Sequence, residues 1–148
     1  MYLLDTNHCS NAILGNKTIL KRLELIEDTS IYTCVVVAGE LVDMAKRSQQ
    51  SKANSNLVQN FLQGICILKI GTITANLYGQ TKASLFKQFA PKDKSKRRKT
   101  KITNLGFGEN DLWISAIALQ HQLTIVSLDS DFVRIKQVIK NIKIESWL

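Results

Sequence analysis

Proline occurs once in this chain, at Pro91, and only seven of its 148 residues are glycine. No Pro/Gly-rich stretch separates two units, so one domain over residues 1–148 is expected. Two histidines are too few for a histidine-built metal centre. The three cysteines, Cys9, Cys34 and Cys66, are odd in number and lack CxxC spacing. A disulfide scaffold and a thiolate zinc site are therefore both poor readings, and a reducing cytoplasm fits. No apolar run approaches the roughly 20 residues that a membrane helix needs. The opening MYLLDTNHCS has neither a basic n-region nor a long apolar core, so no secretory leader is expected. A hydrophobic content of 45% with 22% charged residues excludes extended disorder.

Positive charge, by contrast, is abundant and concentrated. The formal net charge is +8, and most of it lies in PKDKSKRRKTK. There Lys92, Lys94, Lys96, Arg97, Arg98, Lys99 and Lys101 face a single acid, Asp93. Such a run is either a solvated loop or an arm that holds a polyanion by releasing its counterions. The second reading is preferred, with the segment 91–108 expected to be a basic loop. An arm of this kind confers affinity without sequence information.

Along the chain, short apolar or β-branched runs alternate with helical spacing. Residues 2–4, 31–36, 65–70, 123–128 and 142–147 read as strands. Helices are expected over 7–14, 18–27, 37–48, 54–62, 72–90, 111–122 and 132–136, with Pro91 ending the long one. The stretch 111–122 is apolar almost all round, which implies a buried helix. Continuous apolar strands separated by helices predict an α/β fold, a three-layer α/β/α sandwich around a central, mainly parallel sheet. Ligands in such folds bind outside the carboxyl ends of the strands.

Four acids fall at that edge. Asp5 directly follows the first strand, where a helix cap is the plainer role. Glu40 lies a turn past the second strand in VVVAGELV, either as a functional acid or on a solvated stripe with an Asp43–Arg47 pair. Asp111 opens the buried helix on the face of Ile114, Ser115 and Ala118, where it also suits the helix dipole. Asp129 follows the fourth strand, and Asp131 reads as the cap of the next helix. Two carboxylates 4 Å apart repel by about 4 kcal/mol at an effective dielectric of 20. Four together need protons or a cation, and hard oxygen donors select Mg²⁺ or Mn²⁺ over Zn²⁺. His8, Cys9 and His121 are expected to pack or cap locally. Trp113 and Trp147, both in apolar runs, suit a core or an interface between copies.

LLDTN, GEL, GENDLWISAIA, TIVSLDSDF and the closing IKIESWL occur in that order with suitable spacing. Together they resemble PIN-domain ribonucleases, and most of all the VapC-type toxins of toxin–antitoxin pairs. The resemblance implies an Mg²⁺- or Mn²⁺-dependent endoribonuclease that leaves 5′-phosphate and 3′-hydroxyl ends. It places the family's acidic quartet, as catalytic and metal-binding residues, on Asp5, Glu40, Asp111 and Asp129, with Thr6, Asn7 and Ser127 lining the site. It also implies an RNA substrate, a cognate antitoxin and a homodimer; no membrane association is expected, because no apolar run is long enough to span a bilayer. Two features depart from the pattern. Val37 stands where relatives often carry Thr or Ser three residues before the Glu, and the basic segment is longer and more charged than usual. Two other readings are an RNA-processing nuclease of the same family and a non-catalytic RNA-binding α/β module. An aspartyl-phosphate enzyme fits poorly, because Asn7 stands where a second acid is needed and no GxxxxGK[ST] loop is present.

Overall fold

In a computed structural model, which describes residues 1–27 and 30–148, five short strands form one all-parallel sheet in the order β3-β2-β1-β4-β5. The strands are β1 (Tyr2–Leu4), β2 (Ile31–Cys34), β3 (Cys66–Leu68), β4 (Thr124–Val126) and β5 (Lys143–Glu145). Each is shorter than or equal to the apolar run that predicts it. The side chains beyond the pairing still pack inward, as Ile142 and Trp147 do around β5.

From central β1 the chain winds outward through α1 (Thr6–Ile13) and α2 (Lys17–Glu24) to β2, then through α3 (Val35–Arg47) and α4 (Ser51–Gln63) to β3. It then crosses to the far side of β1 through α5 (Thr72–Phe89), α6 (Lys94–Lys99), a 3-10 turn at Ile102–Leu105 and α7 (Glu109–His121), and ends with β4, α8 (Ser130–Val138) and β5. Helices α1, α3 and α4 pack together, and α5, α7 and α8 form the opposing group. Right-handed crossovers in opposite directions put the two groups on opposite faces, which makes three layers. The winding reverses between β1 and β4, so the ligand-binding crevice of such a sheet falls at their carboxyl ends.

The core is apolar and continuous. Leu3, Leu4, Ile125 and Val126 fill the sheet; Val37 and Leu41 come from α3, and Leu112, Ile114 and Ile117 from α7. Helix α7 is buried from Leu112 through Ala118 except at half-buried Trp113, as its all-round apolar sequence predicts. Trp113 stacks on Tyr78 at 3.9 Å, while Trp147 is buried and lies edge-on to Tyr2. All three cysteines are free thiols. Among the described residues no helix is long and apolar enough to cross a membrane.

The basic segment 91–108 is not the loop its charge suggests. Asp93, its one acid, caps a six-residue helix by accepting the Lys96 N–H at 2.9 Å, and Arg97 reaches back to the Phe86 carbonyl at 3.5 Å. Lysine and arginine are good helix formers once a cap offsets nucleation. All seven basic side chains are exposed. Beyond them, the Arg134 guanidinium of α8 donates to the carbonyls of Leu105 and Gly106 at 2.8 Å each and lies 4.0 Å from the Phe107 ring. Gly106 needs its missing side chain, since it sits at φ 76°. This clasp ties the segment that leads into α7 to helix α8.

Candidate active site

Asp5 leaves the sheet where its backbone N–H still bonds to the Val126 carbonyl at 3.2 Å, which fixes it beside the end of β4. It caps α1, so the cap role and the site role coincide in one residue: Oδ1 accepts the His8 N–H at 2.7 Å. The His8 ring adds Nδ1 to the same oxygen at 2.9 Å. Glu40 projects from the middle of α3. Its Oε2 accepts from the Thr6 hydroxyl and its Oε1 from Asn110 Nδ2 at 2.7 Å. Asp111 stands in the first turn of α7, and Asp129 caps α8 by accepting the Asp131 N–H at 2.8 Å.

Here the structure corrects one expectation. The cap of α8 is Asp129; Asp131 lies in the first turn, accepts the Gly108 N–H at 3.3 Å and pairs with Arg134 at 3.5 Å. Asp129, at φ −71° and ψ 127°, has the extended backbone that a cap requires, and Asp131 is already helical.

Asp5, Glu40, Asp111 and Asp129 line one cavity of about 330 Å³, together with Thr6 and Asn7. Ile114 and Phe132 supply apolar wall, and Asp43, Met44 and Arg47 complete the lining. The exposed Asp43–Arg47 pair forms as the i, i+4 spacing predicts, at 2.5 Å. Ser127 is not among the lining residues. It is buried, and its hydroxyl accepts the Asp129 N–H at 2.9 Å, so it supports that acid from behind.

Crowded acids change one another. Burial, then repulsion from Asp129, Asp131, Glu40 and Asp5, pushes Asp111 up to about 7. Among the described residues no lysine or arginine pairs with any of the four acids. Nor do three of their groups close into a ready-made metal cage. The donor chemistry nevertheless fits a hard divalent cation: oxygen ligands only, in one polar cavity, with uncompensated negative charge. Cys9 contributes nothing reactive, because burial pushes its thiol up to about 12.

Three contributors escape a reading of the sequence alone. Asn110 carries a faint signal, as a polar residue next to Asp111. Arg47 reads as half of a surface pair. Gly108 is silent, yet a Cβ built there would overlap Asp111 Oδ2. The seven basic residues of the arm are absent from the cavity's lining.

An all-parallel sheet with helices on both faces and four acids gathered at its switch point defines a three-layer α/β domain. The PIN-domain family model matches residues 2–138, and the chain belongs to that family. No curated protein sequence matches at a significant level. Among solved structures, the chain resembles VapBC2 from Rickettsia felis bound to a promoter DNA fragment, with TM-score 0.79 and 23% identity over 99% of this chain and 98% of that one. DNA-bound VapBC from Salmonella typhimurium gives 0.79 and 24% over the same shares. VapC20 of Mycobacterium tuberculosis, described as a sarcin–ricin loop cleaving toxin, gives 0.58 and 14% over 90% of this chain and 94% of that one.

Proposed function

We propose that the chain is a divalent-metal-dependent endoribonuclease and the toxin of a toxin–antitoxin pair. The observation that carries the chemistry is the convergence of Asp5, Glu40, Asp111 and Asp129 on one cavity at the carboxyl edge of β1 and β4. Similar structures described as a toxin–antitoxin complex and as a member of a family of toxin–antitoxin systems support the partner, a cognate antitoxin. A cytoplasmic homodimer is the accompanying expectation.

Mg²⁺ or Mn²⁺ would be held by Asp5, Glu40 and Asp111, with Asp129 holding a second ion or orienting water. The chemistry such an ion supplies when bound is Lewis-acid neutralisation of the scissile phosphate and activation of water. The chain's own residues set the stage. Thr6 and Asn110 fix the Glu40 carboxylate from both sides, and Ser127 fixes the Asp129 backbone. Ile114 and Phe132 shield one wall from water. Lys92, Lys94, Lys96, Arg97, Arg98, Lys99 and Lys101 would hold the RNA backbone.

The decisive assay incubates total RNA with the purified chain in Mn²⁺, in Mg²⁺ and in EDTA, beside Asp5→Ala. Cleavage is expected with the metals alone and is expected to vanish with EDTA or in the variant. Undiminished cleavage in EDTA, or by folded Asp5→Ala, would falsify the reading.

Gly108→Ala tests the placement of Asp111 without touching a carboxylate. Gly108 has φ −71°, which alanine adopts readily, so the backbone tolerates the change. The new Cβ displaces the Asp111 carboxylate instead. A misplacement of this size costs roughly a hundredfold in rate. Thermal unfolding close to the parent's with cleavage lowered by that order is the expected pair of results; parental cleavage would show that Asp111 need not hold its place.

A further inference from the structure

We propose that His8 is a positioning residue that locks the Asp5 carboxylate so that one oxygen, Oδ2, is offered to the cavity. This rests on the metal-dependent reading above. An N-cap needs only a backbone donor, and the His8 N–H supplies it to Asp5 Oδ1 at 2.7 Å. The His8 ring then brings Nδ1 to the same oxygen at 2.9 Å. A carboxylate oxygen has two lone pairs, and both on Oδ1 are thereby engaged.

The opposite edge of the ring shows what this contact costs. His8 is wholly buried, and its Nε2 has no hydrogen-bond partner among the described residues. With the proton on Nδ1, as donation to Asp5 requires, Nε2 is a desolvated acceptor. Such a group costs about 1–3 kcal/mol. A leucine or valine in the same turn would fill apolar space without that cost. Packing alone therefore gives no reason for a histidine at this position, and the Nδ1–Oδ1 bond does. Asp5 is itself buried and follows the sheet directly, so the ring completes a rigid seat: backbone on one side, imidazole on another, cavity on the third. Partners that orient a metal-binding carboxylate act on metal affinity as well as on rate.

The test compares the parent with His8→Leu, His8→Val and His8→Asn. Leucine and valine remove the donor. Asparagine restores one, because its Nδ2 branches from Cγ as the ring Nδ1 does. Mn²⁺ binding is measured by calorimetry on the full chain, and thermal unfolding is recorded in EDTA. Whichever donor-free variant folds is expected to keep or exceed the parent's unfolding temperature and to bind Mn²⁺ about 10–100-fold more weakly. His8→Asn is expected to bind far closer to the parent than to that variant. Parental Mn²⁺ affinity in a donor-free variant, or His8→Asn as weak as His8→Leu, overturns the proposal and leaves the metal-dependent reading standing. A parent that binds no Mn²⁺ overturns that reading itself, and this inference with it.

Discussion

Asp111→Asn is expected to lose metal-dependent RNA cleavage by about a thousandfold or more, roughly 4 kcal/mol of barrier. In EDTA it is expected to be the more stable protein. Both outcomes have one cause. Burial and the charges of Asp129, Asp131, Glu40 and Asp5 push the Asp111 carboxyl from the ordinary 3.8 to about 7. The folded state thus holds the proton more tightly than the unfolded chain does. As pH rises from about 4 through 7, the folded protein loses stability at this group, and the loss is complete above 7. Asparagine carries no titrating proton, so the variant's advantage appears across that window and disappears below it. Asp111 is only half-buried, and solvent screening reduces the gain to the order of 1 kcal/mol. A first-turn acid also gains about 0.3–1 kcal/mol from the helix dipole, which subtracts from it. What remains is an unfolding temperature higher by up to about 3 °C at pH 8 in a domain of this size. Mn²⁺ should reverse the order by stabilising the parent alone. A parent more stable than the variant at pH 8 in EDTA would show that the four carboxylates do not burden one another.

The site is only partly legible in the sequence. β1, ending at Asp5, and the buried α7, opening at Asp111, are local patterns: apolar periodicity followed by an acid. The sheet edge then collects Glu40 and Asp129 by topology alone. The contacts that tune these acids are tertiary and leave no periodic trace. Thr6 and Asn110 meet at Glu40 from positions 34 and 70 residues away. Arg134 reaches 28 residues back to the Gly106 carbonyl. α6 is hidden for a different reason: a dense charge run looks like a solvated loop, and its single acid, Asp93, caps it as a helix. Asp131 reads as the cap because both acids lie within one turn, yet it is Asp129 whose backbone stays extended.

Neutralising four exposed charges of α6 should separate RNA binding from chemistry. Lys94, Lys96, Arg98 and Lys99 are changed to glutamine, which keeps helix propensity, and Arg97 is left in place because it braces the helix against the Phe86 carbonyl. A cavity lined by four carboxylates repels a phosphodiester, so attraction must come from elsewhere on the molecule. For single-stranded RNA each phosphate contact adds about 0.7 to the slope of log K against log salt, so losing four lowers the slope by about 3. At 0.1 M salt that amounts to a binding loss of order several hundredfold, fading towards 1 M. Because the contacts are made equally in the ground and transition states, KM should rise while kcat at saturating RNA stays near the parent's. Filter binding across a salt series, in an Asp5→Ala background that prevents cleavage, reads the slope directly. An unchanged slope would mean these four side chains do not touch RNA. A fallen kcat with unchanged KM would mean instead that α6 acts on the four acids of the cavity, through the segment at Leu105 and Gly106 that Arg134 of α8 holds in place.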